Sequence, residues 1–229
     1  MPQAPLPQGL DALVSDVARM GGVAESMVAD AIGAVLRRDA AMASLVVDRD
    51  PRVDAAQRQL ERDTMALLSQ SSADPALLRE GFAVIRIAAE LERVADLAKN
   101  IAKRTLALIQ SEPIPLVRSI ERMGRLAGDH LKQVLDAYSH RDLQLAVNVW
   151  RRDEDIDFHY NALVRELLTC MSEQAGAINP CAHLLFIAKN IERIGDHCTN
   201  IAETVHQVVT GREIGEERPK SDDAERGDL

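Results

Sequence analysis

The stretch Glu92-Arg93-Val94-Ala95-Asp96, with Asn100 beyond it, returns a hundred residues later as Glu192-Arg193-Ile194-Gly195-Asp196 with Asn200. On a helix, residues four apart share a face, so each Glu and Asp stack one above the other and the Asn extends the column. Like charges at that spacing repel, and an isolated helix would avoid them. Two further acidic pairs have the same spacing, Asp50/Asp54 and Asp153/Asp157. Clustered carboxylates suit hard or borderline cations: Mg²⁺, Mn²⁺, Ca²⁺ and Fe, with Zn²⁺ also accepting oxygen ligands. The competing account is a solvated face whose acids pair with Arg52, Arg93, Arg152 or Arg193.

For the pairs to meet, the helices that carry them must form antiparallel hairpins. A turn centred near Ala73 places Asp50 level with Asp96 and Asp54 level with Glu92. A turn between Gln174 and Ala175 places Asp153 level with Asp196 and Asp157 level with Glu192. Each hairpin is therefore expected to bring four carboxylates to one height, although height alone does not fix the direction in which they point. Such a group repels itself unless a cation neutralises it. The candidate metal ligands are thus Asp50, Asp54, Glu92 and Asp96 in one half, and Asp153, Asp157, Glu192 and Asp196 in the other.

The halves are copies. Val14, Arg19, Met20, Gly21, Arg38, Asp39, Asp50 and Asp54 match residues 103 positions later, and Ile87 to Ala102 match Ile187 to Ala202 with eight identities in sixteen positions. Helical periodicity predicts a first long helix from about Leu10 to Arg38. Asp39 and Asp142 read as N-caps of a shorter stretch, and Asp50-Pro51 as the start of a helix running to about Gln70. A third helix follows the turn at Ser71-Ser72-Ala73-Asp74-Pro75 and runs to about Gln110. The second half repeats this order. The expected fold is all-α: a tandem duplication of a three-helix bundle, six helices in total. Residues 1–9 form a flexible lead-in, 10–111 the first bundle, 112–210 the second, and 211–229 a charged tail expected to be disordered.

Composition narrows the classes. Aromatics make up 3% of the chain, which suits helices packed through small aliphatic side chains. A formal charge of −9 argues against general nucleic-acid binding, which needs a basic face. Cys170, Cys181 and Cys198 make no metal or redox motif, and a reducing compartment is expected. The start MPQAPLPQGL lacks the charged and apolar regions of a signal peptide, and no run is long enough to span a membrane, so a cytoplasmic protein without direct membrane insertion is expected. No HExxH, Walker loop or GxSxG occurs, and the Glu-x-x-His pairs of di-iron bundle enzymes are absent, so no catalytic residue and no organic cofactor are assigned. Gly21 and Gly124 are expected at close helix approaches, and Trp150 in a core or interface. His197 and Cys198 replace Leu97 and Ala98, and packing or surface roles are expected for them.

The doubled segment ELERVADLAKNIA and NIERIGDHCTNIA resembles the paired E(D)xxxD signature of the PhoU family, as do VARMGG and its echo ERMGRL. The resemblance covers roughly residues 8 to 210. It implies a homodimer of symmetric three-helix bundles, with iron or zinc clusters in some members. It also implies partners: the ATPase subunit of the high-affinity phosphate ABC transporter and a membrane sensor histidine kinase. Such proteins lower transport and silence phosphate-starvation genes when phosphate is plentiful. The signature falls on Glu92 and Asp96 and on Glu192 and Asp196. Gly195 and the His197-Cys198 pair set the copies apart, and equal metal loading of the halves does not follow. Three other functions fit the residues: a carboxylate-bridged metalloenzyme, a metal-free helical adaptor, or a metal or phosphate store.

Overall fold

A computed structural model of the chain describes residues 9–70, 74–114 and 116–215. The expected lead-in up to residue 8, residues 71–73 of the first turn, Pro115 and the tail from residue 216 lie outside the described residues. Seven α-helices follow in order: α1 Leu10–Arg37, α2 Ala40–Gln70, α3 Pro75–Leu108, α4 Val117–His140, α5 Leu143–Arg151, α6 Asp153–Glu173 and α7 Ile178–Thr210. A short 3₁₀ turn, Ala175–Ala177, joins α6 to α7. Helices α5 and α6 are two segments of one arm, so the architecture is the expected six-armed duplication, and no strand occurs among the described residues.

The ends of the helices follow from local chemistry. Asp39 and Asp142 accept hydrogen bonds from the backbone N–H of Met42 (3.0 Å) and Leu145 (3.0 Å), as N-caps do. Just before them, Arg38 and Arg141 adopt left-handed backbone conformations, φ 55° and 52°, and end α1 and α4. Asp74 caps α3 by accepting from Ala76 N–H at 2.9 Å, with Pro75 behind it at the first helical position.

The arms differ at one expected break. Asp50-Pro51 does not start a new helix: α2 runs unbroken from Ala40 to Gln70 with Pro51 inside it. Proline removes one helical hydrogen bond, but here its ring is exposed while Val46 and Val53 on either side are buried, and their packing holds the axis. The break occurs instead in the second half, at Arg152 (φ −95°, ψ 13°), where Asp153, Glu154 and Asp155 supply the negative charge a helix start favours.

Helices α1, α2 and α3 pack together, as do α4, α6 and α7 with α5 against α7. The two bundles join along α3 and α7 and along α1 and α4, and a single apolar core runs through both. Glycine permits the α1–α4 approach in a two-fold manner. A Cβ on Gly21 would lie 2.7 Å from Leu135, and one on Gly124 would lie 2.7 Å from Ile32. These four residues are equivalent pairs of the repeat, which accounts for the doubled Met-Gly motif. Trp150 is buried and donates from Nε1 to Glu203 at 3.1 Å.

Candidate functional site

In the first hairpin Asp50 and Asp96 meet through a lysine. The Lys99 ammonium lies 2.6 Å from Asp96 Oδ1 on its own helix and 2.9 Å from Asp50 Oδ2 on α2. One side chain therefore ties together the two acids placed level by the hairpin spacing. Asn100 adds a hydrogen bond to Asp96 at 3.1 Å. Arg93 stands 3.5 Å from Glu92. Burial raises the Glu92 carboxyl above its ordinary value; Arg93 opposes this, while Asp96, Asp54 and Asp50 add to it. The other three acids thus all act electrostatically on Glu92. Burial works against the Lys99 charge, but its bonds to Asp96 and Asp50 outweigh that and hold its pKa above the ordinary lysine value.

The second rung is built differently. Asp153 is buried, with 3% exposure, and accepts a 2.9 Å hydrogen bond from Thr199 Oγ1. It turns inward, below the surface on which its counterpart Asp50 meets lysine. Glu192 pairs with Lys189 at 2.7 Å on the same helix, while its Oε2 is buried without a hydrogen-bond partner. Burial raises the Glu192 carboxyl; the Lys189 bond lowers it, and Asp196 and Asp157 raise it further. Glu192, Asp196 and Asp157 therefore form the interacting set here, and Asp153 belongs to the core.

The fit to a metal differs accordingly. Among the described residues no three histidine, cysteine, aspartate or glutamate side chains stand close enough to share an ion. In the first hairpin a resident ammonium already lies between Asp50 and Asp96. In the second, the unpartnered Glu192 oxygen is a group that a cation or water would satisfy.

The seam between α3 and α7 carries a second polar cluster that the acidic spacing did not reveal. His197 Nδ1 lies 2.6 Å from Glu90 Oε2, and Asn200 donates to the same oxygen at 3.2 Å. These bonds outweigh burial and hold Glu90 below the ordinary carboxylate range. Arg86 donates to Gln207 at 3.4 Å, and the Arg104 guanidinium sits 3.9 Å above the Phe186 ring. Position numbers rise on α3 as they fall on α7, so the helices are antiparallel. His197 is thus a seam residue, and Cys198 is fully buried, matching the packing roles expected of them. Lys99, Lys189 and Thr199 went unmarked in the sequence, though each lies three residues from a signature acid, where helical neighbours meet.

Against known proteins, the family model described as PhoU domain matches residues 17–105 and 120–205, one match per half. A phosphate-specific transport system accessory protein PhoU homolog of Caulobacter vibrioides is 52% identical over 211 residues, covering 92% of each chain. Its Rhizobium meliloti counterpart is 47% identical, covering 92% of this chain and 89% of that one. Among solved structures, PhoU from Pseudomonas aeruginosa superposes with a TM-score of 0.86 at 29% identity, over 89% of this chain and 98% of that one. The phosphate transport system regulatory protein PhoU from Streptococcus pneumoniae gives 0.83 at 26% identity, over 90% and 97%.

Proposed function

The chain belongs to the PhoU family, and from that premise we propose that it is a cytoplasmic, non-catalytic regulator of phosphate uptake and homeostasis. It lowers flux through the high-affinity phosphate ABC transporter and restrains phosphate-starvation signalling by docking on the transporter ATPase subunit and a membrane sensor histidine kinase. The observation that carries this reading is the near full-length likeness to relatives named as phosphate transport accessory proteins. A stiff double bundle with one continuous core suits docking, because it can favour one state of a partner without changing its own shape. No helix among the described residues is long and apolar enough to cross a membrane, so contact with a membrane complex falls to its surface.

In this reading the protein acts as a homodimer, and the acidic rungs are where Fe, Zn, Mg or Mn ions would be held. Asp50, Asp54, Glu92, Asp96, Asp153, Asp157, Glu192 and Asp196 remain the candidate ligands. Such an ion would supply positive charge to an acidic surface and so tune docking. The metal-free adaptor is the second reading, favoured in the first hairpin by the Lys99 bridge.

Deleting the gene tests the regulatory role: alkaline phosphatase output should rise in phosphate-rich medium and fall again when the gene is restored. Unchanged output would set the role aside. Co-purification with the transporter ATPase at high phosphate, and its loss under starvation, tests the docking partner.

A further inference from the structure

We propose that one end of the α3/α7 seam is a binding pocket for a phosphoryl dianion, free or carried on a small metabolite. Lys103 and Arg104 of α3 and His183 of α7 build it. The pocket stands apart from the acidic rungs, and its ligand is of the opposite sign.

The lining carries the argument. Asn100, Lys103, Arg104, His183, Phe186 and Asn190 surround a cavity of about 500 Å³, and no carboxylate is among them. In a chain of formal charge −9, such a site concentrates positive charge where no acid offsets it. The Arg104 guanidinium is held 3.9 Å above the half-exposed Phe186 ring. Stacking fixes the plane of its fork, yet the side chains of Arg104 and Lys103 make no ion pair or hydrogen bond among the described residues. Their donors are unspent. His183 Nδ1 is buried without a hydrogen-bond partner, so a ligand or water would satisfy it. Two full positive charges with imidazole and amide donors suit an anion of about two charges with several acceptor oxygens, which a phosphoryl group is near neutral pH.

The duplication supplies an internal comparison. At the opposite end of the seam the equivalent positions hold Asn200, Glu203 and Thr204 on α7, and Ala83, Arg86 and Glu90 on α3. There the protein provides its own oxyanion. Glu90 Oε2 lies 2.6 Å from His197 Nδ1 and accepts from Asn200 at 3.2 Å. The residue equivalent to Glu90 is Asn190, which is neutral, and the residue equivalent to Glu203 is Lys103. One end of the seam is thus closed by a carboxylate, and the other has the cations without the anion.

Titration calorimetry of the full-length protein with inorganic phosphate, and separately with AMP, tests this in about 0.15 M NaCl, where loose surface attraction is screened. One site per chain is expected, with a Kd of about 1 mM or tighter. Lys103→Gln and Arg104→Gln should each weaken binding about tenfold or more, since each removes a charged donor. Asn190→Glu leaves every cation in place but installs the carboxylate of the closed end, and should abolish binding with helicity unchanged by circular dichroism. R79Q/R86Q, at the closed end, should bind as the wild type does. Tighter binding of AMP would mean that the phosphoryl group is taken on a metabolite, and tighter binding of phosphate that it is taken free; both support the pocket. The proposal is overturned if neither ligand binds, if folded K103Q and N190E variants bind like the wild type, or if R79Q/R86Q abolishes binding. The regulatory role is judged separately, by alkaline phosphatase output.

Discussion

The two hairpins start from one pattern and settle their charge in opposite ways. In the first, Asp50 and Asp96 stay near the surface and share Lys99. In the second, Asp153 moves into the core and joins Thr199, with the fully buried Cys198 and His130 close by. At the equivalent positions of the first half stand Lys99, Ala98 and Met27. An acid at the same helical height can therefore be either half of a surface ion pair or a buried acceptor. The residue one turn away decides, because an ammonium stays near water while a hydroxyl can follow the acid inward. The broken arm of the second half belongs to the same difference: Asp153 opens α6 just after the break at Arg152, whereas Asp50 sits in the middle of α2.

Removing the tie on each side should expose this contrast most strongly. Lys99→Met leaves Asp50 and Asp96 without their shared counter-charge, and we expect a loss of about 1–3 kcal/mol at neutral pH. The loss should shrink as the medium is acidified, because protonation relieves the repulsion. Thr199→Val deletes one neutral hydroxyl and should cost about 1 kcal/mol, with little dependence on pH near neutrality. Urea unfolding of both variants at two pH values measures the difference. Equal losses with equal pH behaviour would erase the distinction drawn between the rungs.

Packing beneath the rungs offers a second, smaller test. Gly195 stands where the first half has Ala95, and Ile156 stands where it has Val53. A Cβ on Gly195 would lie 2.8 Å from Ile156 Cδ1, so the larger isoleucine uses the room the missing methyl leaves. Gly195→Ala alone should cost about 1 kcal/mol, since overpacking exceeds the gain in helix propensity. Adding Ile156→Val, which recreates the first-half pair, should recover that loss or better it. Thermal melts of the single and double variants check it, and a double variant no more stable than the single one counts against the exchange.

How much of this the sequence discloses follows from what helical spacing can and cannot say. The rise per residue fixes height, and so Asp50 opposite Asp96 was legible before any coordinates. The repeat was legible too, through Ile87–Ala102 and its copy. Rotation about each axis was not, which is why Asp153 and Asp50 read alike although one is buried and the other meets lysine. Lys99 was in plain view three residues past Asp96, but nothing local says whether such a chain turns to the neighbouring helix or to water. Pro51 misled for a related reason: a start signal yields to burial on both sides of it. The Glu90–His197 contact spans 107 positions and has no local trace at all.

The least of the expected effects concerns acid sensitivity, confined to the second half. His130 is fully buried on α4, and neither ring nitrogen has a hydrogen-bond partner. Burial, with Arg152 adding to it, holds its pKa below the ordinary imidazole value, against the weaker opposing pull of Asp155, Asp153 and Asp129. The unfolded chain therefore takes up this proton before the folded one does. Between the ordinary value, about 6.5, and the lower folded value, each fall in pH favours unfolding, and the contribution is intact above that window. His130→Met installs the residue found at the equivalent first-half position, Met27, and should remove this slope. Urea midpoints of the variant relative to the wild type should rise as pH falls from about 7.5 to about 5.5, by no more than about 1 kcal/mol. Carboxylates such as Glu192, raised in the fold, work in the opposite sense at lower pH, so the window near neutrality isolates the histidine. A difference between variant and wild type that stays flat across that range would mean that His130 is no more buried, in the electrostatic sense, than the surface histidines, and the contrast between the two cores would lose its titratable member.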